Sequence, residues 1–184
     1  MDHMRRILTL VSLLSVLVSN SYGQTSTTVT QVVDVSLTNV INLEFASTGT
    51  QNGTNLNIGL NLLTDLLNGI TSSTQNLTVS STKGFNITVK TNSANFTYTG
   101  SYLLGTLMPV AGKLKIKVPS NSTGGSIAGS FANFANVTSS AQNLITGGTT
   151  GTNKNFSVQY QGLPGLGFAL GTYSTQIVFT ATQQ

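Results

Sequence analysis

The chain of 184 residues contains no cysteine and no tryptophan, one histidine and three prolines, and only 7% of its residues are charged. Each shortage removes a class of chemistry. Without cysteine there is no disulfide, no thiolate nucleophile and no Cys-ligated zinc. The histidine is His3 and the arginines are Arg5 and Arg6. Beyond residue 6 the chain therefore lacks the side chain that titrates near neutral pH and the one that clamps phosphates in a fork. Three carboxylates remain there, Asp34, Glu44 and Asp65, none next to another. A calcium loop needs clustered acids, and glycoside hydrolysis needs a facing pair. The expectation is a protein with no catalytic residue, no metal ligand and no cofactor.

The first residues read as a targeting segment. Arg5 and Arg6 precede a mostly apolar run over residues 7–18, broken by Thr9, Ser12 and Ser15, and Ser21-Tyr22-Gly23 supplies small residues at a cleavage site. The run falls short of the ~20 apolar residues that a membrane-spanning helix requires. The expected organisation is a signal peptide over residues 1–23 and one secreted domain over residues 24–184. No transmembrane span is expected after cleavage. The expected location is extracellular or at the cell surface, with passage through a periplasm.

Six lysines then face three carboxylates. That surplus reflects scarcity of charge more than a basic face, and nucleic-acid proteins cluster Lys and Arg along one surface, so nucleic acid is not an expected partner. Threonine, serine, asparagine and glycine carry the polarity, while the 39% hydrophobic content exceeds what a disordered tail holds.

Period-two alternation is the recurring signal. Val29, Val33, Val35 and Leu37 share one parity, predicting a long, half-buried first strand, and residues 40–45 predict a second. Asn52-Gly53 marks a hairpin turn. Residues 60–68 switch to helical spacing and stop at Gly69. Strands follow at Leu77 and Val79, at Phe85, Ile87 and Val89, and at Phe96 and Tyr98. Leu114, Ile116 and Val118 alternate with Lys113, Lys115 and Lys117 in a strand expected to stop at Pro119. Residues 120–130 predict a polar loop. Phe131, Phe134, Val137, Ala141 and Leu144 are spaced like an amphipathic helix, residues 147–153 like a loop. Phe156, Val158 and Tyr160 begin another strand, and Tyr173, Thr175, Ile177, Phe179 and Ala181 lie on one face of the last. The fold expected is all-β: an immunoglobulin-like sandwich of about 7–9 mostly antiparallel strands with one or two short helices.

Few features suggest a partner. Gly147 to Lys154 lacks the spacing of a phosphate loop. Lys113, Lys115 and Lys117 are the one concentrated charge: either lysines guarding a sheet edge or a contact for an anionic glycan, lipid headgroup or nucleic acid. Asn52, Asn76, Asn86, Asn95, Asn121, Asn136 and Asn155 each head an Asn-Xaa-Ser/Thr triplet, a number close to what this composition yields by chance. Tyr98 and Tyr160 are candidate glycan contacts, set against a packing role for most rings.

Gly171-Thr172-Tyr173, followed by alternating residues 174–181, resembles the closing strand of bacterial cell-surface β-sandwich proteins of the spore-coat-U-like or fimbrial type, and more remotely WxL-type surface domains. The chain departs from WxL domains in having no tryptophan and from chaperone–usher pilins in having no cysteine pair. The resemblance implies a secreted, non-catalytic envelope or appendage protein. The segment holding Val29, Val33, Val35 and Leu37 has two readings: a strand paired within its own chain, or one added to a neighbouring subunit's sheet. Expected partners are further copies or other envelope proteins. The alternative function is a carbohydrate-binding or adhesin module, and a hydrolase ranks last.

Overall fold

Alternation of apolar and polar residues becomes alternation of buried and exposed side chains almost strand by strand. The computed structural model describes residues 28–46 and 56–184, so the expected signal peptide and the Asn52-Gly53 turn lie outside the described residues. The chain divides after Leu37, and the larger part, Thr38–Gln184, holds every strand described below.

In β3 (Gln75–Ser81) and β4 (Phe85–Thr91), Leu77, Val79, Phe85, Ile87 and Val89 are all at most 1% exposed. β6 (Leu114–Asn121) turns Leu114, Ile116 and Val118 inward and its lysines outward, and β10 (Gly151–Gly162) contributes Phe156, Val158 and Tyr160. Burying each such side chain contributes roughly 1.5–3 kcal/mol. β1 (Ile41–Phe45), β8 (Ala135–Asn136) and these strands form one antiparallel sheet in the order β1-β3-β10-β6-β8, with β2 (Ile70–Thr71) also pairing β10. β12 (Ile177–Gln183), β4, β9 (Gln142–Gly148) and β7 (Ser126–Ile127) form the second, in that order. The inward faces of both sheets supply one core. A separate ribbon pairs β5 (Thr97–Thr99) with β11 (Thr172–Ser174). The all-β sandwich expected from the alternation is what forms, with more and shorter strands than expected.

Five local expectations are corrected, the first being residues 147–153, which are not a loop but the end of β9, a two-residue turn and the start of β10. Residues 28–37 form neither strand nor helix and every one is exposed: alternation supplies an apolar side, but no strand among the described residues supplies the ladder that a β-strand needs. β6 does not stop at Pro119. Ser120 pairs with Ser157 and Lys117 with Gln159, so Val118 and Pro119 together face Val158, and the bulge accommodates a residue without an N–H. The apolar spacing over residues 131–144 is not a helix but a 3-10 turn (Gly129–Ala132), then β8 and the start of β9. Asn, Thr and Ser are poor helix formers there, and pairing of β9 with β4 places Leu144 and Ile145 in the core. The last strand is broken: Asn92 Oδ1 accepts from Gln176 N (3.0 Å) and Thr175 Oγ1 (3.2 Å), separating β11 from β12. The expected helix near Asn68 is present as α1 (Leu63–Asn68), ended by Gly69 at φ +77°.

Candidate functional site

Edge strands decide where such a sandwich can meet something else, because their outer N–H and C=O groups lack a ladder partner. β12 pairs on one side with β4 in an unbroken register from Ile177↔Thr91 to Gln183↔Phe85. Among the described residues no strand pairs with its other side. Its sequence, IVFTATQ, has no charge and no proline, and its pairing has no bulge. Charge, proline and a bulge, three of the devices that blunt an edge, are thus absent from β12.

The side chains beneath this edge differ from the rest of the core. Ile177, Phe179 and Ala181 of β12, and Ile41, Leu43 and Phe45 of β1, pack against the core yet are only half-buried, whereas the inward residues of β3 and β4 are sealed. β1 is the edge of the opposite sheet, and the two edges meet through an edge-to-face contact of Phe45 and Phe179 with ring centroids 6.4 Å apart. Phe179 also touches Phe156 at 6.5 Å. At one end Gln183 Nε2 closes the seam by donating to Val40 O (2.8 Å) and Ser81 Oγ (3.1 Å). The result is an apolar seam between two strand edges, uncharged on β12 and carrying Glu44 on the outer face of β1. The sequence pattern predicts a strand over residues 40–45 and puts Ile177, Phe179 and Ala181 on one face, but does not reveal the seam, because alternation says which face is apolar and not which strand ends the sheet.

Residues 28–37 are the complementary feature. Val29 is 95%, Val33 72%, Val35 79% and Leu37 94% exposed. Its four valines and two threonines favour an extended chain over a helix, and the segment has no proline or glycine.

The other candidate residues separate. β8 pairs with β6 at Lys115 and Ile116, so Lys115 lies in a stretch paired on both sides and Lys117 just beyond it. Lys117 Nζ sits 4.6 Å from the centre of the Phe134 ring, and Lys113 Nζ, just before β6, 5.4 Å from that of Phe168. The structure does not bring Tyr98 and Tyr160 together on one surface. Tyr160 is 6% exposed and burial pushes its hydroxyl well above the usual phenol range, so its ring presents no face to a sugar. Tyr98 is half-buried in β5, its ring 5.0 Å from that of Tyr173 and its Oη donating to Leu170 O at 2.8 Å.

A shallow depression of about 400 Å³ is lined by Ala46, Asn76, Ser120, Asn155, Phe156 and Ser157. Its neutral amides and hydroxyls come from register: Asn76 pairs with Ser157, and Ser157 with Ser120. Of the carboxylates, Asp65 Oδ2 accepts from the N–H groups of Asn61 (2.9 Å) and Leu62 (2.8 Å) at the start of α1. Glu44 lies on the exposed face of β1 opposite Thr78. Among the described residues no three His, Cys, Asp or Glu side chains gather to hold a metal, and no helix is long and apolar enough to cross a membrane. No protein-family model matches this chain, nor does any curated protein.

Proposed function

We propose that the chain is a non-catalytic, secreted cell-surface subunit that assembles by strand addition. The segment carrying Val29, Val33, Val35 and Leu37 in one copy lies along the free edge of β12 in another, pairs with its backbone, and seats its apolar side chains in the seam between β1 and β12. The observation that carries this reading is the incomplete seam, six half-buried apolar side chains between the edges β1 and β12, of which β12 carries no charge, proline or bulge. Such an edge in a protein displayed outside the cell is either an aggregation hazard or a binding site. The apolar leader over residues 1–23 supports export.

Deleting residues 24–35 tests the proposal. Light scattering is expected to show large species for the full mature chain and a folded monomer for the truncated one. An unchanged size distribution refutes strand addition. A second reading, glycan binding, is favoured by the amide- and hydroxyl-lined depression at Asn76 and Asn155, since neutral polar groups are what a sugar's hydroxyls pair with. It predicts retention on a glycan array that Ser120→Arg abolishes, with assembly intact.

A further inference from the structure

At the end of the domain opposite the Val40–Gln183 closure, two loops carry leucines that point away from the protein. Leu103 is 95%, Leu104 86%, Leu107 73%, Leu166 60% and Leu170 71% exposed, with Tyr102 at 55% beside them. Isolated exposed leucines are ordinary, but a contiguous group marks an interaction surface. Contiguity here is given by hydrogen bonds. Ala169 N donates to Gly105 O at 2.8 Å, Tyr98 Oη donates to Leu170 O and accepts from Tyr102 N (3.2 Å), and Tyr173 Oη bridges Gly105 O and Ala169 O. The loops are tied to one another and to the β5–β11 ribbon, so the leucines are held outward on a braced base. Helix α1 joins the same end, because Gly165 N donates to Leu66 O at 3.0 Å, and its Leu63 and Leu67 are also more than half exposed.

We propose that this end docks on a lipid bilayer that bears anionic headgroups, inserting its loop leucines at the interface. Three observations select that occupant. The surface is built from projecting loop tips, as suits insertion into a fluid layer. Tyr102 stands exposed beside the leucines, where a ring with one polar end suits headgroup depth, while Tyr98 and Tyr173 spend their hydroxyls on bracing the loop backbone. Lys113 packs on Phe168 within the second loop and continues into Lys115 and Lys117 on β6, a cationic row running from the leucines toward the headgroups. The carboxylate at this end, Asp65, is engaged by two backbone N–H groups. A head-to-tail contact with a second copy fits less well: the opposite end, at residues 82–84 and 149–151, offers Thr, Lys and Gly and would strip hydration from polar groups against leucine.

Co-flotation of the full mature chain with phosphatidylcholine vesicles, with and without phosphatidylglycerol, tests this. The wild type is expected to float with the phosphatidylglycerol vesicles and to release at high salt. Leu103→Asp/Leu104→Asp is expected to lower partitioning about 100-fold with an unchanged melting curve, since both side chains are solvent-exposed in the free protein. Lys115→Gln/Lys117→Gln is expected to reduce the preference for phosphatidylglycerol. A wild type that stays at the bottom of the gradient, or a leucine variant that floats as well as wild type, overturns the proposal. Loss of self-association in the leucine variant without any vesicle binding by wild type assigns the surface to a second copy and equally overturns it. Ile177→Lys, which alters only the seam, is expected to float normally, so failure of strand addition and failure of lipid docking read out separately.

Discussion

Close packing in this sandwich is set by a few small residues. A Cβ on Gly148 would lie 2.5 Å from the ring of Phe85, a fully buried side chain, so Gly148→Ala must displace that ring or bend β9. Overpacking of this kind costs ~1–3 kcal/mol, and a denaturant titration should show a loss in that range. Gly129, with nothing within 4 Å of its would-be Cβ, is the matched control. Gly129→Ala should be neutral or stabilising by up to ~1 kcal/mol, through the unfolded chain. Asparagine shows how a residue's role escapes a motif. Asn121 heads an Asn-Xaa-Thr triplet, yet its Oδ1 accepts from Thr123 N and Oγ1 and its Nδ2 donates to Gly125 O. Its amide is spent on the turn, and its neighbour Thr123 is fully buried. Asn86 Oδ1 likewise accepts from Gly147 N and Gln184 Nε2.

Elements divide by whether their partners are local. β3, β4 and the lysine-flanked half of β6 were legible in the sequence because one face of each is sealed in the core, and burial enforces strict alternation. Residues 131–144 were not, since Phe131, Phe134, Val137, Ala141 and Leu144 are apolar for separate reasons: Phe131 caps a 3-10 turn into the core while Leu144 sits in a strand of the other sheet. Their helical spacing is a coincidence of two unrelated burials. Residues 28–37 alternate except at Gln31 and Val32 and remain unpaired among the described residues. Alternation reports that a segment suits a sheet and leaves open whose sheet it joins. The free edge of β12 was invisible for the same reason, because edge status is a property of strand order. At this scale the seam predicts that Ile177→Lys, an inward-pointing charge at an edge, should abolish assembly in analytical ultracentrifugation. Because Ile177 is half-buried, the monomer is expected to melt within a few degrees of wild type. Retained oligomers would remove β12 from the interface.

For the whole molecule, strand addition from the N-terminal segment of one copy to the β1–β12 seam of another is a heterologous contact. Repetition of such a contact produces open filaments unless its rotation closes a ring. A nearly uncharged surface suits that arrangement, because affinity then comes from backbone hydrogen bonds and buried valine and leucine rather than from ion pairs that salt weakens. The leucine-bearing loops lie at the far end from the seam's Gln183 closure, which leaves them available for a different partner.

Strand addition makes its most specific demand on the backbone of β12. Amide hydrogen exchange, compared between the assembled mature chain and the monomer lacking residues 24–35, reads that backbone directly. The account predicts that alternate amides within Ile177–Gln183, those directed away from β4, are protected in the assembly and exchange quickly in the truncated monomer. Equal exchange across β12 in both forms, with assembly intact in the full chain, would contradict it.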